Sequence, residues 1–145
     1  MDKLATKNIQ MRLLSVEEKK FKSDLDEDLA DVINDNNLKF NIGYSLLPYQ
    51  NNNSVVVEIA VKYLFNEREL LFLIASLTFK FSEFNEIFEI KDDQILEKVT
   101  IIPTMINVAI GTLRGIAASK TSGTFLRNFP LPLIDPNSLL KKQNN

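Results

Sequence analysis

The segment 54–84, "SVVVEIAVKYLFNERELLFLIASLTFKFSEF", sets the reading of the whole chain. From Ser54 to Phe65, Val55, Val57, Ile59, Val61, Tyr63 and Phe65 alternate with the other residues, the two-residue period of a half-buried strand. "NERE" is a polar connection of hairpin length, so the next strand should return antiparallel. That strand is expected from about Leu70 to Phe84, with Leu71, Leu73, Ala75, Leu77, Phe79 and Phe81 as its core row. Its opposite row begins Leu70, Phe72 and Ile74 and turns polar only at Ser76, Thr78, Lys80 and Ser82. One face of a simple sheet should be polar throughout. Together with Val56 and Leu64, that opposite row predicts an apolar cluster near one end of the outer face. Such a cluster fits an oligomer interface or a hydrophobic groove, or is covered by the loop after the first strand or the C-terminal segment.

Upstream, Leu38, Phe40, Ile42, Tyr44 and Leu46 alternate with Lys39, Asn41, Gly43 and Ser45, a further strand that "PYQNNN" should interrupt. Ile9, Met11 and Leu13 suggest a first strand running on past Ser15. Between these two lies "SDLDEDLADVINDNN", with Asp24, Asp26, Glu27, Asp28, Asp31 and Asp35. It reads as a solvated loop or one short helix with Leu25, Leu29, Val32 and Ile33 tucked under, or as an acidic docking surface for a basic partner.

Downstream the pattern becomes helical. Pro103 suits a first turn, where its missing N–H is not needed. Ile102, Met105, Ile106, Ala109, Ile110, Leu113 and Ile116 then recur at helical spacing. A second face carries Thr104, Val108, Gly111, Gly115 and Ala118, nearly all small. Interior glycine costs about 1 kcal/mol relative to alanine, so two of them one turn apart imply close approach by something. Either the protein's own sheet or a second subunit would serve. Gly123 is the expected helix stop, with Lys120 at the negative end of the dipole. Asp135-Pro136 reads as a cap and first-turn proline opening a short last helix through Leu139 and Leu140. The expected architecture is α+β: a four-stranded antiparallel sheet packed by a long C-terminal helix and a short last helix, in two layers. At 145 residues it reads as a single domain, 1–145.

Composition narrows the chemistry. The chain has no histidine and no cysteine, so histidine triads, histidine metal sites, thiol nucleophiles and disulfides are excluded. Its four glycines form no phosphate loop. No carboxylate, lysine or tyrosine pair stands in a recognisable catalytic setting, so no catalytic residue, metal or cofactor is expected and the chain reads as a non-enzyme. A net charge of -2 and no basic run argue against nucleic acid. No apolar run reaches the roughly 18 residues of a membrane span, and "MDKLATKNIQMRL" shows no export signal, which makes the cytoplasm the default.

The stretch from Pro103 through "LRGIAASKTSGT" and "FPLPLIDPNSLL" resembles the C-terminal half of the SecB family of protein-export chaperones, in particular its divergent SecB-like branch. In that family a Gly-Thr dipeptide ends the long helix and a hydrophobic residue follows. A Leu/Pro-rich stretch then leads to a short last helix. Here these are Gly123-Thr124, Phe125, Phe129 to Ile134, and Ser138 to Leu140. The helix from Pro103 is longer than in export SecB, and Leu126 stands where a proline often occurs. The resemblance implies a homotetramer, a dimer of dimers, that holds unfolded polypeptides in hydrophobic grooves without ATP. It would serve export with a SecA motor, or protect the antitoxin of a toxin–antitoxin pair. It also implies client contacts at Phe125, Leu126, Phe129, Leu131 and Leu133, helped by Leu70, Phe72 and Ile74. Each could equally be core. A structural oligomer that uses these surfaces only to meet itself is the alternative.

Overall fold

A computed structural model describes residues 10–143. Four strands, β1 (Met11–Ser23), β2 (Leu38–Tyr49), β3 (Ser54–Phe65) and β4 (Arg68–Phe81), form one antiparallel sheet in the order β1-β4-β3-β2. After β4 come a single helical turn, α1 (Phe84–Ile87), and a small hairpin of β5 (Phe88–Lys91) and β6 (Gln94–Glu97). The long helix α2 (Ile102–Thr121) and the short last helix α3 (Pro136–Gln143) complete the chain. The expected α+β architecture is what the structure shows, with the β5–β6 hairpin added.

The central hairpin turns at Asn66 and Glu67, whose φ angles are 47° and 69°. Two consecutive left-handed residues make the tight turn whose twist matches the flanking strands. Asparagine tolerates that conformation; glutamate is strained in it. Val55, Val57, Ile59, Val61 and Tyr63 on β3 face the helical layer and are buried, as are Leu71, Leu73, Ala75, Leu77, Phe79 and Phe81 on β4. Against them lie Ile102, Met105, Ile106, Ala109, Ile110 and Leu113 of α2, also buried. Each such side chain contributes about 1.5–3 kcal/mol of burial. Phe81, Phe84 and Phe88 close one end of the core, with ring centroids 5.0 to 6.5 Å apart.

Several boundaries differ from expectation. β2 runs through Pro48 to Tyr49 because it is an edge strand, where a missing N–H breaks no ladder. β4 ends at Phe81, and β1 runs to Ser23 with irregularities between Leu13 and Ser15 and between Glu18 and Lys20. Ile9 lies outside the described residues. The acidic connection from β1 to β2 contains one short 3-10 turn, Glu27–Leu29, capped when the Asp26 carboxylate accepts from Asp28 N–H at 3.1 Å. Ile33 is buried and Leu25 and Leu29 pack against the core, while Val32 is half exposed. The connection joins the two edges of the sheet, starting where Asp24 N–H donates to the Leu70 carbonyl at 2.9 Å.

Helix α2 begins without a capping side chain of its own. Instead the Glu97 carboxylate, at the end of β6, accepts from the N–H groups of both Ile101 and Ile102 at 2.8 Å. It thus satisfies two orphan donors at the positive end of the dipole. At the other end the helix stops at Thr121, two residues before Gly123, and Gly123 does not adopt a left-handed φ. The last carbonyl, of Thr121, is satisfied from beyond the helix: it accepts from Thr124 N–H and from Thr124 Oγ1, each at 2.9 Å. Asp135 caps α3 as expected, accepting from Asn137 N–H at 3.0 Å.

Candidate functional site

The residues expected to bind polypeptide do not form one surface. Leu70 is fully buried, because a shift in the β3–β4 register between Tyr63 and Leu64 leaves it unpaired beside the equally buried Leu71. A bulge breaks the alternation, so two neighbours can both be covered. Leu126 and Leu131 are also buried, holding the segment after α2 onto the core. All three are core residues in this fold, with no surface to offer a client. Phe125 and Phe129 are half-buried, and Leu133 is 91% exposed. Phe72 and Ile74 are half-buried on the opposite face of the sheet.

The segment from Phe125 to Asp135 forms an arm. It opens as a short 3-10 turn, Phe125–Asn128, capped by the Thr124 hydroxyl accepting from Leu126 N–H at 3.1 Å. From Pro130 to Asp135 it has no regular structure. Arg114 of α2 fastens it: Nε donates to Leu131 O at 3.2 Å and a terminal guanidinium nitrogen donates to Pro132 O at 2.9 Å. Charge-assisted bonds to two consecutive carbonyls fix direction as well as position. Among the described residues, the N–H groups of Leu133 and Ile134 make no hydrogen bond. The arm is therefore anchored at Leu126, Leu131 and Arg114, and presents Leu133 to solvent. Arg114 carried no signal in the sequence, since its role depends on the arm folding back along the helix.

The small face of α2 is open. Thr104, Gly111, Gly115 and Ala118 are exposed and Val108 is half-buried. A Cβ placed on Gly111 or Gly115 would meet nothing within 4 Å. The protein's own sheet is not what these glycines accommodate. On the same side of the sheet, β1 is poorly covered. Its register puts Leu13 opposite Phe79 and Val16 opposite Leu77, both core positions, yet they are 41% and 44% exposed. The helix reaches β1 near its own C-terminal end, where Lys120 pairs with Glu18 at 2.9 Å and lies 4.9 Å above the Phe21 ring. β1 is also an edge strand, paired with β4 alone.

The apolar cluster expected near one end of the outer face is broken up, since Leu70 is in the core and lysines flank Phe72 and Ile74. Phe72 lies between Lys62 of β3 and Lys22 of β1, and Ile74 between Ala60 and Lys20. Val56 is at the far end, opposite Thr78. The ammonium groups of Lys20 and Lys62 each stand 4.9 Å from the Phe72 ring. Burial pushes the Tyr63 phenol up to about 12 and raises that of Tyr44. No helix among the described residues is long and apolar enough to cross a membrane.

No protein-family model matches the chain, and no curated protein matches it. Among solved structures it is similar to the Rv1957 SecB-like chaperone of Mycobacterium tuberculosis, determined in complex with a ChAD peptide from the Rv1956 HigA1 antitoxin. The TM-score is 0.48 at 12% identity, over 86% of this chain and 88% of that one. A likeness at that level says nothing about function.

Proposed function

We propose that this chain is an ATP-independent holdase for non-native polypeptides, of the SecB type, acting in the cytoplasm as a homotetramer built as a dimer of dimers. The observation that carries the reading is the anchored arm: Leu133 is held 91% exposed, between half-exposed Phe125 and Phe129 on one side and α3 on the other. Holding an apolar side chain in water costs stability unless something covers it. Free N–H groups beside it suit an incoming extended chain, where backbone pairing adds affinity with little sequence selectivity. Holding in this way requires no catalytic group. Precursors bound for a SecA motor and an aggregation-prone antitoxin are both clients of the right class.

The test combines the mass in solution with suppression of aggregation of a chemically unfolded protein at stoichiometric amounts. Leu133→Asp should weaken suppression while leaving the melting temperature unchanged, because that side chain touches almost nothing in the folded chain. Phe125→Asp with Phe129→Asp should weaken it further, at some cost in stability. A tetramer that neither slows aggregation nor binds unfolded chains would sink the holdase reading.

Two observations favour the second reading, a subunit whose apolar surfaces serve only assembly. The open glycine face of α2 and the uncovered Leu13 and Val16 both suit a second copy. If Leu133→Asp abolishes the tetramer and Gly111→Leu does not, the arm belongs to assembly.

A further inference from the structure

The outer face of the sheet has a charge arrangement that neither reading uses. Around Phe72, the register gathers Lys20, Lys22, Lys39 and Lys62 from three strands. Glu69 stands 3.7 Å from Lys62, Glu67 lines a depression shared with Lys39, and Asp24 at the margin is paired with Arg68 at 3.7 Å. Among the described residues no carboxylate lies within ion-pair distance of Lys20, Lys22 or Lys39. The next carboxylates on this face, Glu17 and Glu58, flank Ser76, two residues along the strand from Ile74. In a chain of net charge -2, this end of the sheet is locally basic.

Beside Phe72 is a depression of about 240 Å³, lined by Asn41, Gly43, Ala60 and Lys62. Gly43 lies opposite Ala60, so two of the smallest side chains form its floor. A Cβ on Gly43 would meet nothing within 4 Å, so the strand itself does not require glycine there.

We propose that this face docks an extended acidic segment of a partner protein, with its carboxylates set against Lys20, Lys22, Lys39 and Lys62 and one apolar side chain seated over Gly43 beside Phe72. Opposed charges select the partner and speed its approach, while the apolar seat fixes register. A polynucleotide fits less well. Both lysines over the Phe72 ring occupy the position a base would need for stacking. The inference does not rest on the holdase reading, since the arm packs on the other side of the sheet.

Fluorescence anisotropy with three labelled probes tests it: a peptide of about eight residues alternating glutamate with leucine, its glutamine counterpart, and a single-stranded oligonucleotide of equal charge. The acidic peptide should bind in a salt-dependent way, and about tenfold more tightly than the glutamine peptide or the oligonucleotide. Lys20→Glu with Lys62→Glu should weaken it by about tenfold, with a lower melting temperature because both contacts with Phe72 and the Lys62–Glu69 pair are lost. Gly43→Leu, whose Cβ meets nothing within 4 Å and whose side chain would occupy the seat, should also weaken it. If the first pair does not fold, Lys22→Glu with Lys39→Glu reads the same interaction from exposed positions. Leu133→Asp should leave this binding intact, which separates it from client holding. Equal binding of the glutamine peptide, preference for the oligonucleotide, or indifference to charge reversal would each overturn the proposal. So would loss of self-association on Asp26→Lys with Asp28→Lys, which would give the face to a second copy.

Discussion

Three leucines within eight residues, Leu126, Leu131 and Leu133, show how little a residue type says about its role. Two are core anchors and the third is in water. What separates them is the path of the arm, which Arg114 sets by binding the carbonyls of Leu131 and Pro132. Local conformation supplies a residue-scale prediction at Glu67, whose φ of 69° is costly for a side chain with a Cβ. Glu67→Gly should stabilise the fold by about 0.5–1 kcal/mol in urea denaturation, and a loss of stability would contradict the turn as described. Tyr63 supplies another. Burial holds its pKa at about 12 in the folded state, against 10.0 for an exposed tyrosine. The unfolded chain therefore loses this proton first as pH rises. Tyr63's contribution is complete below pH 10 and disappears as pH climbs towards 12. Tyr63→Phe should flatten the fall in stability across that window, measured by denaturation at fixed alkaline pH.

Among the elements, α2 lies across β3 and β4 with one face buried and one face bare. Gly111 and Gly115 are on the bare face, where neither strand nor loop approaches. Two substitutions separate solvent from a partner helix there. Gly111→Ala with Gly115→Ala should raise the helix's own stability by about 1 kcal/mol per site. Gly111→Leu with Gly115→Leu should leave the folded chain intact but lower the mass seen by light scattering, if another subunit packs against the glycines. An unchanged mass would mean the face is simply wet. The β1 strand gives a complementary picture. Its second half carries Glu17, Glu18, Lys19, Lys20 and Lys22 and an irregularity between Glu18 and Lys20, devices that blunt an edge against unwanted pairing. The first half, with Leu13, Leu14 and Val16, has far less such protection.

For the molecule as a whole, the sheet separates two surfaces that were expected to act together. The arm lies on the helical side, and Phe72 with its lysines on the other. Loosening the arm should therefore affect one function alone. Arg114→Ala removes both anchoring hydrogen bonds, each worth about 1.5–3 kcal/mol when charged. Hydrogen exchange should rise around Leu131 to Asp135, and aggregation suppression should change, while acidic-peptide binding stays as in the parent chain. A joint loss of both would mean that the two faces are coupled through the sheet.

Local pattern determined the regular parts of this protein. Alternation of period two in 54–81 specifies which residues of β3 and β4 enter the core. Helical spacing from Ile102 specifies the buried stripe of α2, and Asp135-Pro136 specifies the start of α3. These signals are legible because burial against one neighbour layer imposes a period on the chain itself. The β5–β6 hairpin escaped because strands of four residues carry too short a period to read. Leu70 escaped because a bulge, fixed by pairing with another strand, shifts the phase. Only the tertiary structure decided which apolar residues are left over. Exposure of Leu133, burial of Leu126 and Leu131, the bare glycine face and the lysines around Phe72 all depend on which distant elements come to lie beside them. No periodicity along one segment records that.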